Sequence, residues 1–162
     1  MATFKVIGKG EDGKYFDNDA FNDVINYVFS DYKIPHKCIG GYGVHIENAA
    51  EQMEIVTSVY NKNSGVRLRH FIISFSDADC ISLPEAYQIA DAAARYFADR
   101  HQIIFAIHED TFHLHIHFVM NQVSYIDGLK YSGKKSEHYD FIYYMRNVCS
   151  QYGIDFIPVS DE

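Results

Sequence analysis

The chain is 162 residues long, the size of one domain of roughly 100–200 residues, so two full-size domains are excluded. With 48% hydrophobic and 22% charged residues, it has material for a sizeable core, which excludes disorder, collagen and coiled coil. A net charge of −8 argues against a nucleic-acid partner held by bulk electrostatics.

No apolar run approaches the roughly 20 residues of a membrane span, and the first ten residues carry no secretory signal, so a cytoplasmic location is expected. Cys38, Cys80 and Cys149 are too few and too scattered for a disulfide framework or a zinc knuckle, and are expected as buried thiols.

In chain order, residues 4–7 alternate apolar and polar side chains and predict a short strand, ended by Gly8, Gly10 and Gly13. Asp17, Asn18 and Asp19 offer N-caps ahead of Phe21, Val24, Ile25 and Val28, the stripe of a first helix reaching about Tyr32. Residues 33–42, with Pro35 and Gly40-Gly41, read as a loop. A second helix is expected over 47–60 and a strand over 68–75. Ser82 and Pro84 open a third helix with the stripe Ile89, Ala93, Tyr96 and Phe97, closing near Arg100 and His101.

Residues 103–108 and 113–120 read as a hairpin joined by Glu109, Asp110, Thr111 and Phe112. Asp127-Gly128 signals a turn, Ser136 starts a fourth helix that runs to about Gln151, and residues 156–159 suit a last strand. This order predicts an α+β fold, a central antiparallel sheet with a histidine-rich strand and about four helices packed on one side. One domain over residues 1–162 is expected, either minimal or the N-terminal part of a longer protein.

Nine histidines and thirteen tyrosines set the composition apart. Because side chains alternate along a strand, His113, His115 and His117 share one face with Val119 and Asn121, while Leu114, Ile116, Phe118 and Met120 face the core. A four-residue loop sets His108 opposite His113 on that face, so four imidazoles converge. Three of the four, with an open position, form the arrangement of a catalytic metal site. The competing expectations are an exposed histidine-rich strand and a closed structural zinc site, though the latter usually recruits cysteine and none lies nearby.

The run His108-Glu-Asp110-Thr-Phe-His113-Leu-His115-Ile-His117-Phe-Val-Met-Asn121 resembles the metal-binding motif of plasmid mobilisation relaxases of the HUH endonuclease superfamily. The resemblance continues through His70-Phe-Ile-Ile-Ser74-Phe75, the Asp-Gly turn within 123–130, and a late helix with Cys149 four residues before Gly153. It implies His108, His115 and His117 as metal ligands and places His113, Asn121 and His70 at the site. Asp110 would orient a ligand imidazole or accept a proton, although an aspartate there also suits a turn cap. It further implies a tyrosine nucleophile near the end of the first helix. Val24-Ile-Asn26-Tyr27, followed by Lys33, fits that pattern. At about 100° per residue Tyr27 lies away from the apolar stripe, whereas Tyr32 falls on it. Tyr32 and Tyr42 are the alternatives.

The activity so implied is metal-dependent, site- and strand-specific DNA nicking and strand transfer through a 5′-phosphotyrosine, starting conjugative mobilisation of a plasmid or integrated element. The resemblance implies one divalent cation, magnesium or manganese, whereas three imidazoles by their own chemistry suit zinc, nickel or manganese better than magnesium. The implied partners are single-stranded DNA at an origin of transfer, accessory relaxosome proteins and a coupling protein. Lys130, Lys134 and Lys135 after the motif strand, and Lys62, Arg67 and Arg69 before the His70 strand, are the candidate DNA contacts flanking the site. Alternatives are a rolling-circle initiator or single-strand transposase with the same chemistry, a non-catalytic metal-binding module for single-stranded nucleic acid, and a small-substrate phosphodiesterase.

Overall fold

The strand and helix periodicities resolve into one six-stranded sheet in a computed structural model that describes residues 1–7, 19–30, 38–109 and 113–159. The elements are β1 (Ala2–Ile7), α1 (Ala20–Val28), β2 (Ile39–Tyr42), α2 (Ala49–Val59), β3 (Leu68–Phe75), α3 (Leu83–Ala98), β4 (Ile103–His108), β5 (His115–Asn121), α4 (Lys135–Ser150) and β6 (Phe156–Pro158). Strand order is β2-β4-β5-β3-β1-β6. Every neighbouring pair is antiparallel except β1 with β6. The fold is α+β.

The helices cover both faces of this sheet, not one. Phe71, Ile73, Phe105, Ile107, Ile116 and Phe118 pack against α3 and α4 through Ile89, Ala93, Phe97, Phe141 and Met145. On the other face Leu68, Ile104, Ala106 and Val119 pack against Phe21, Val24, Ile25 and Val28 of α1 and Met53 of α2. Every residue of β4 is buried. Its unbroken apolar run Ile103-Ile-Phe-Ala-Ile107 is the signature of a strand covered on both sides, where a one-sided sheet would alternate.

Residues 39–42, expected as loop, form the edge strand β2 against β4. Glycine hides this strand from propensity: a Cβ on Gly40 would lie 2.3 Å from the Phe105 ring, so the strand reaches β4 because that position has no side chain. Helix α1 ends at Val28, where the Ser30 hydroxyl donates to the carbonyls of Asn26 and Tyr27. Tyr32, Lys33, Pro35, Asp17 and Asn18 lie outside the described residues. Helix α3 begins as its sequence requires, with the Ser82 side chain accepting from the Glu85 N–H in a reciprocal capping box. The Asp127-Gly128 turn closes on a single bridge, Val123 to Lys130, with Gly128 at φ 73°.

The cysteines differ among themselves: Cys149 is buried, Cys38 is half-buried and Cys80 is exposed. Burial pushes the Cys149 thiol up to about 12. Among the described residues no helix is long and apolar enough to cross a membrane.

Candidate metal centre

Three adjacent strands place imidazoles at one end of the α1 face of the sheet. His108 closes β4 directly opposite His115, which opens β5, and His117 follows two residues later on the same face. Their ring centroids are 5.2 Å (His108–His115), 4.1 Å (His108–His117) and 5.0 Å (His115–His117) apart. One nitrogen from each lies within 4.8 Å of the others. His108 and His117 are buried, and His115 is half-buried.

Hydrogen bonds orient these rings. The His108 Nε2 donates to the Val28 carbonyl at 2.7 Å, which leaves its buried Nδ1 as the lone-pair nitrogen. The His115 Nδ1 donates to the His113 carbonyl at 3.2 Å, leaving Nε2. The His117 Nδ1 lies 2.9 Å from the His70 Nε2. Three imidazole nitrogens, with no carboxylate grouped with them among the described residues, fit a first-row transition dication and fit magnesium poorly, since magnesium prefers oxygen ligands.

Four imidazoles do converge, but the fourth is His70 and not His113. The β4–β5 register pairs Phe105 with Phe118 and Ile107 with Ile116, which sets His108 against His115. A register two residues away would keep every side chain on the same face, so alternation alone could not separate the two. His113 stands outside the strand, exposed, and its Nδ1 donates to Asp77 Oδ1 at 3.2 Å. Asp110 lies outside the described residues.

Tyr27 occupies the last turn of α1. Its side chain is 45% exposed, and its ring meets the His117 ring edge-on at 6.0 Å between centroids and 78° between planes. The same helix end supplies the Val28 carbonyl to His108, so the apolar stripe that docks α1 also brings the phenol to the imidazoles. Tyr42 is elsewhere: its hydroxyl donates to Asp91 and accepts from the Arg95 Nε at 2.9 Å, and its ring packs on the opposite face of the sheet.

The remaining expected site residues lie at the far end of the strands. Asn121 pairs with Leu68, whereas His115 pairs with Ser74, so Asn121 is about 13 Å along β5 from His117 at roughly 3.3 Å per residue. It is buried among α2 and β4 groups and does not line the centre. The basic residues also fail to flank it. Arg67 donates to Asn63. Arg69 lies 5.0 Å over the Tyr131 ring, and burial lowers its pKa. The Lys130 ammonium donates to the carbonyls of Ser64 and Val66. Lys134 lines a cleft with Lys130, Tyr131 and His101, and exposed Lys135 begins α4 beside it. Proximity in sequence to the motif strand meant proximity to its other end. Sequence reasoning missed the Val28 carbonyl, a backbone group with no residue letter to announce it.

Residues 27–154 match the family described as relaxase, MobA/VirD2-like, nuclease domain, and the chain belongs to that family. It is also similar to two Staphylococcus aureus proteins, each named Protein rlx. One is 25% identical over 114 residues, 70% of this chain and 36% of that protein. The other is 27% identical over 123 residues, 75% of this chain and 38% of that protein. The matched region thus spans well under half of each relative.

Proposed function

We propose that this chain is a nicking and joining domain that cuts one DNA strand at an origin of transfer, with Tyr27 as the nucleophile. The observation that carries this reading is the Tyr27 ring 6.0 Å from that of His117, in a group of three imidazoles that could hold a metal ion. His108, His115 and His117 are the proposed ligands, and a cation there supplies Lewis-acid neutralisation of the scissile phosphate.

A phenol is a weak nucleophile at neutral pH because its unperturbed pKa is about 10, so its proton must leave as attack begins. Asp110, in the segment joining β4 to β5, is the proposed acceptor or the group that orients a ligand imidazole. The Tyr27 oxygen forms a bond to phosphorus while the bond to the 3′ oxygen breaks, and the 3′ oxygen leaves carrying a proton. The 5′-phosphotyrosine keeps a phosphodiester-like bond, so the free 3′ hydroxyl can reverse the step. Strand transfer is the expected outcome rather than net hydrolysis. Manganese or another transition dication is the proposed metal. Arg67, Arg69, Lys130, Lys134 and Lys135 are proposed to meet DNA away from the nick.

The test incubates the chain with manganese and single-stranded DNA from candidate origins, then reads denaturing gels and peptide mass spectra. A DNA adduct on Tyr27, lost in Tyr27→Phe and in His115→Ala, is expected. The Tyr27→Phe chain should keep its fold stability within about 0.5 kcal/mol, as exposed substitutions do. Multiple-turnover hydrolysis unaffected by Tyr27→Phe would replace this reading with a phosphodiesterase that uses activated water.

A further inference from the structure

We propose that His70 is a positioning residue for the metal centre: it accepts the Nδ1 proton of His117 and so holds His117 in the tautomer that presents Nε2 as a ligand. The inference rests on the metal-binding reading above. Its basis is a contact between two buried imidazoles, His70 and His117, exposed by 4% and 3%, whose Nε2 and Nδ1 are 2.9 Å apart. The register explains why they meet. Ile72 pairs with His117 and His70 with Val119, so the two histidines are diagonal neighbours on one face of adjacent strands, with ring centroids 5.2 Å apart.

A hydrogen bond between two neutral imidazoles needs one donor and one acceptor, which leaves two arrangements. If His70 donates, the His117 Nδ1 is the acceptor and its proton sits on Nε2, so neither nitrogen can bind a cation. If His117 donates, its Nε2 carries the lone pair. Only the second arrangement lets His117 serve beside His108 and His115, whose other nitrogens are already committed to the Val28 and His113 carbonyls. Two ligand imidazoles thus donate to backbone carbonyls, and the third donates to a histidine. A carboxylate in the place of His70 would do the same for the tautomer, but as a buried charge that is costly before metal arrives. Neutral His70 orients His117 without that cost, and packing alone would be met equally well by an apolar ring.

The test measures zinc and manganese binding to the full chain by calorimetry, for wild type, His70→Phe and His70→Gln, alongside metal-free thermal midpoints. Glutamine retains a side-chain acceptor and phenylalanine does not. His70→Phe should bind about 10- to 100-fold more weakly, and His70→Gln should stay within a few-fold of wild type. In wild type with zinc, long-range nitrogen–proton NMR of the imidazoles should show His117 protonated on Nδ1 and metal-bound through Nε2. Equal affinity in His70→Phe, or equal losses in both variants, would overturn the positioning role while leaving the metal centre in place. Should His70→Phe not fold, the NMR tautomer decides, and a proton on the His117 Nε2 overturns the proposal. Wild type that binds neither metal would sink the metal reading itself, and this role with it.

Discussion

The amide of Asn121 joins three parts of the molecule from a buried position. Its NH2 group donates to the Met53 carbonyl at 3.2 Å and to Gln102 Oε1 at 3.0 Å. Its oxygen accepts from the Val123 N–H at 3.0 Å and the Thr57 hydroxyl at 3.4 Å. Truncation takes these bonds from the buried Val123 N–H and Gln102 Oε1, while the Thr57 hydroxyl still donates to the Met53 carbonyl at 3.0 Å, so Asn121→Ala should lower stability by about 2–4 kcal/mol in urea unfolding. Zinc affinity of the folded fraction should be unchanged, which separates this residue from the metal centre. His101, donating through Nδ1 to the Asn121 carbonyl at 2.9 Å, is held below the usual imidazole range, chiefly by burial, with that hydrogen bond acting the other way. The folded state therefore binds this proton less readily than the unfolded chain. Its contribution is complete above the unfolded value of about 6.5 and is lost as pH falls below it. His101→Asn should lose less stability than wild type between pH 7.5 and pH 5.5, compared by urea midpoints. Equal losses would show that the other histidines carry the whole effect.

Among the elements, β2 owes its place to a missing side chain. The Phe105 ring and the Tyr87 hydroxyl occupy the space that a Cβ on Gly40 would need, at 2.3 and 3.0 Å. Gly40→Ala must shift the edge strand or the fully buried Phe105 ring, and should cost about 1–3 kcal/mol. The thermal midpoint measures this, and a stability equal to wild type would mean that β2 moves freely. Helix α1 depends on its buried stripe of Phe21, Val24, Ile25 and Val28. That stripe sets where the helix end, and so Tyr27, stands against the imidazoles. Helix α3 is the element that follows most directly from local signals, since Ser82, Pro84 and Glu85 cap it without help from the rest of the chain.

For the molecule as a whole, the proposed metal site bridges α1, β4, β5 and, through His70, β3. A ligand that binds only the folded state adds about 2.7 kcal/mol at a concentration 100 times its dissociation constant. At this size that corresponds to a rise of roughly 5–10 °C in thermal midpoint. Zinc or manganese should produce such a shift and a chelator should reverse it, while His115→Ala should abolish it. An unchanged midpoint at saturating metal would count against the three-histidine site. The charge distribution has its own scale: the chain is acidic overall, and among the described residues Arg67, Arg69 and Lys130 stand toward the strand ends remote from His108 and His115, whereas Lys5 shares a cross-strand row with His117 through Ile72. Electrostatic attraction for a polyanion by this acidic chain is therefore local rather than global.

What depends on near neighbours along the chain was legible in its residues. The 68–75 strand matches its expected bounds, the Ser82 cap opens α3, and alternation puts His115 and His117 on one face, because pleat and capping act within a few residues. The tertiary structure alone decided the register that sets His108 against His115, the arrival of His70 in place of His113, and the burial of Asn121. It also decided the covering of both sheet faces and the separation of Arg67, Arg69 and Lys130 from the centre. A two-residue slip preserves the face of every side chain, so alternation cannot choose a register. The register adopted, Phe105 with Phe118 and Ile107 with Ile116, belongs to the folded sheet. Backbone carbonyls such as that of Val28 become visible partners only when the chain has folded against them.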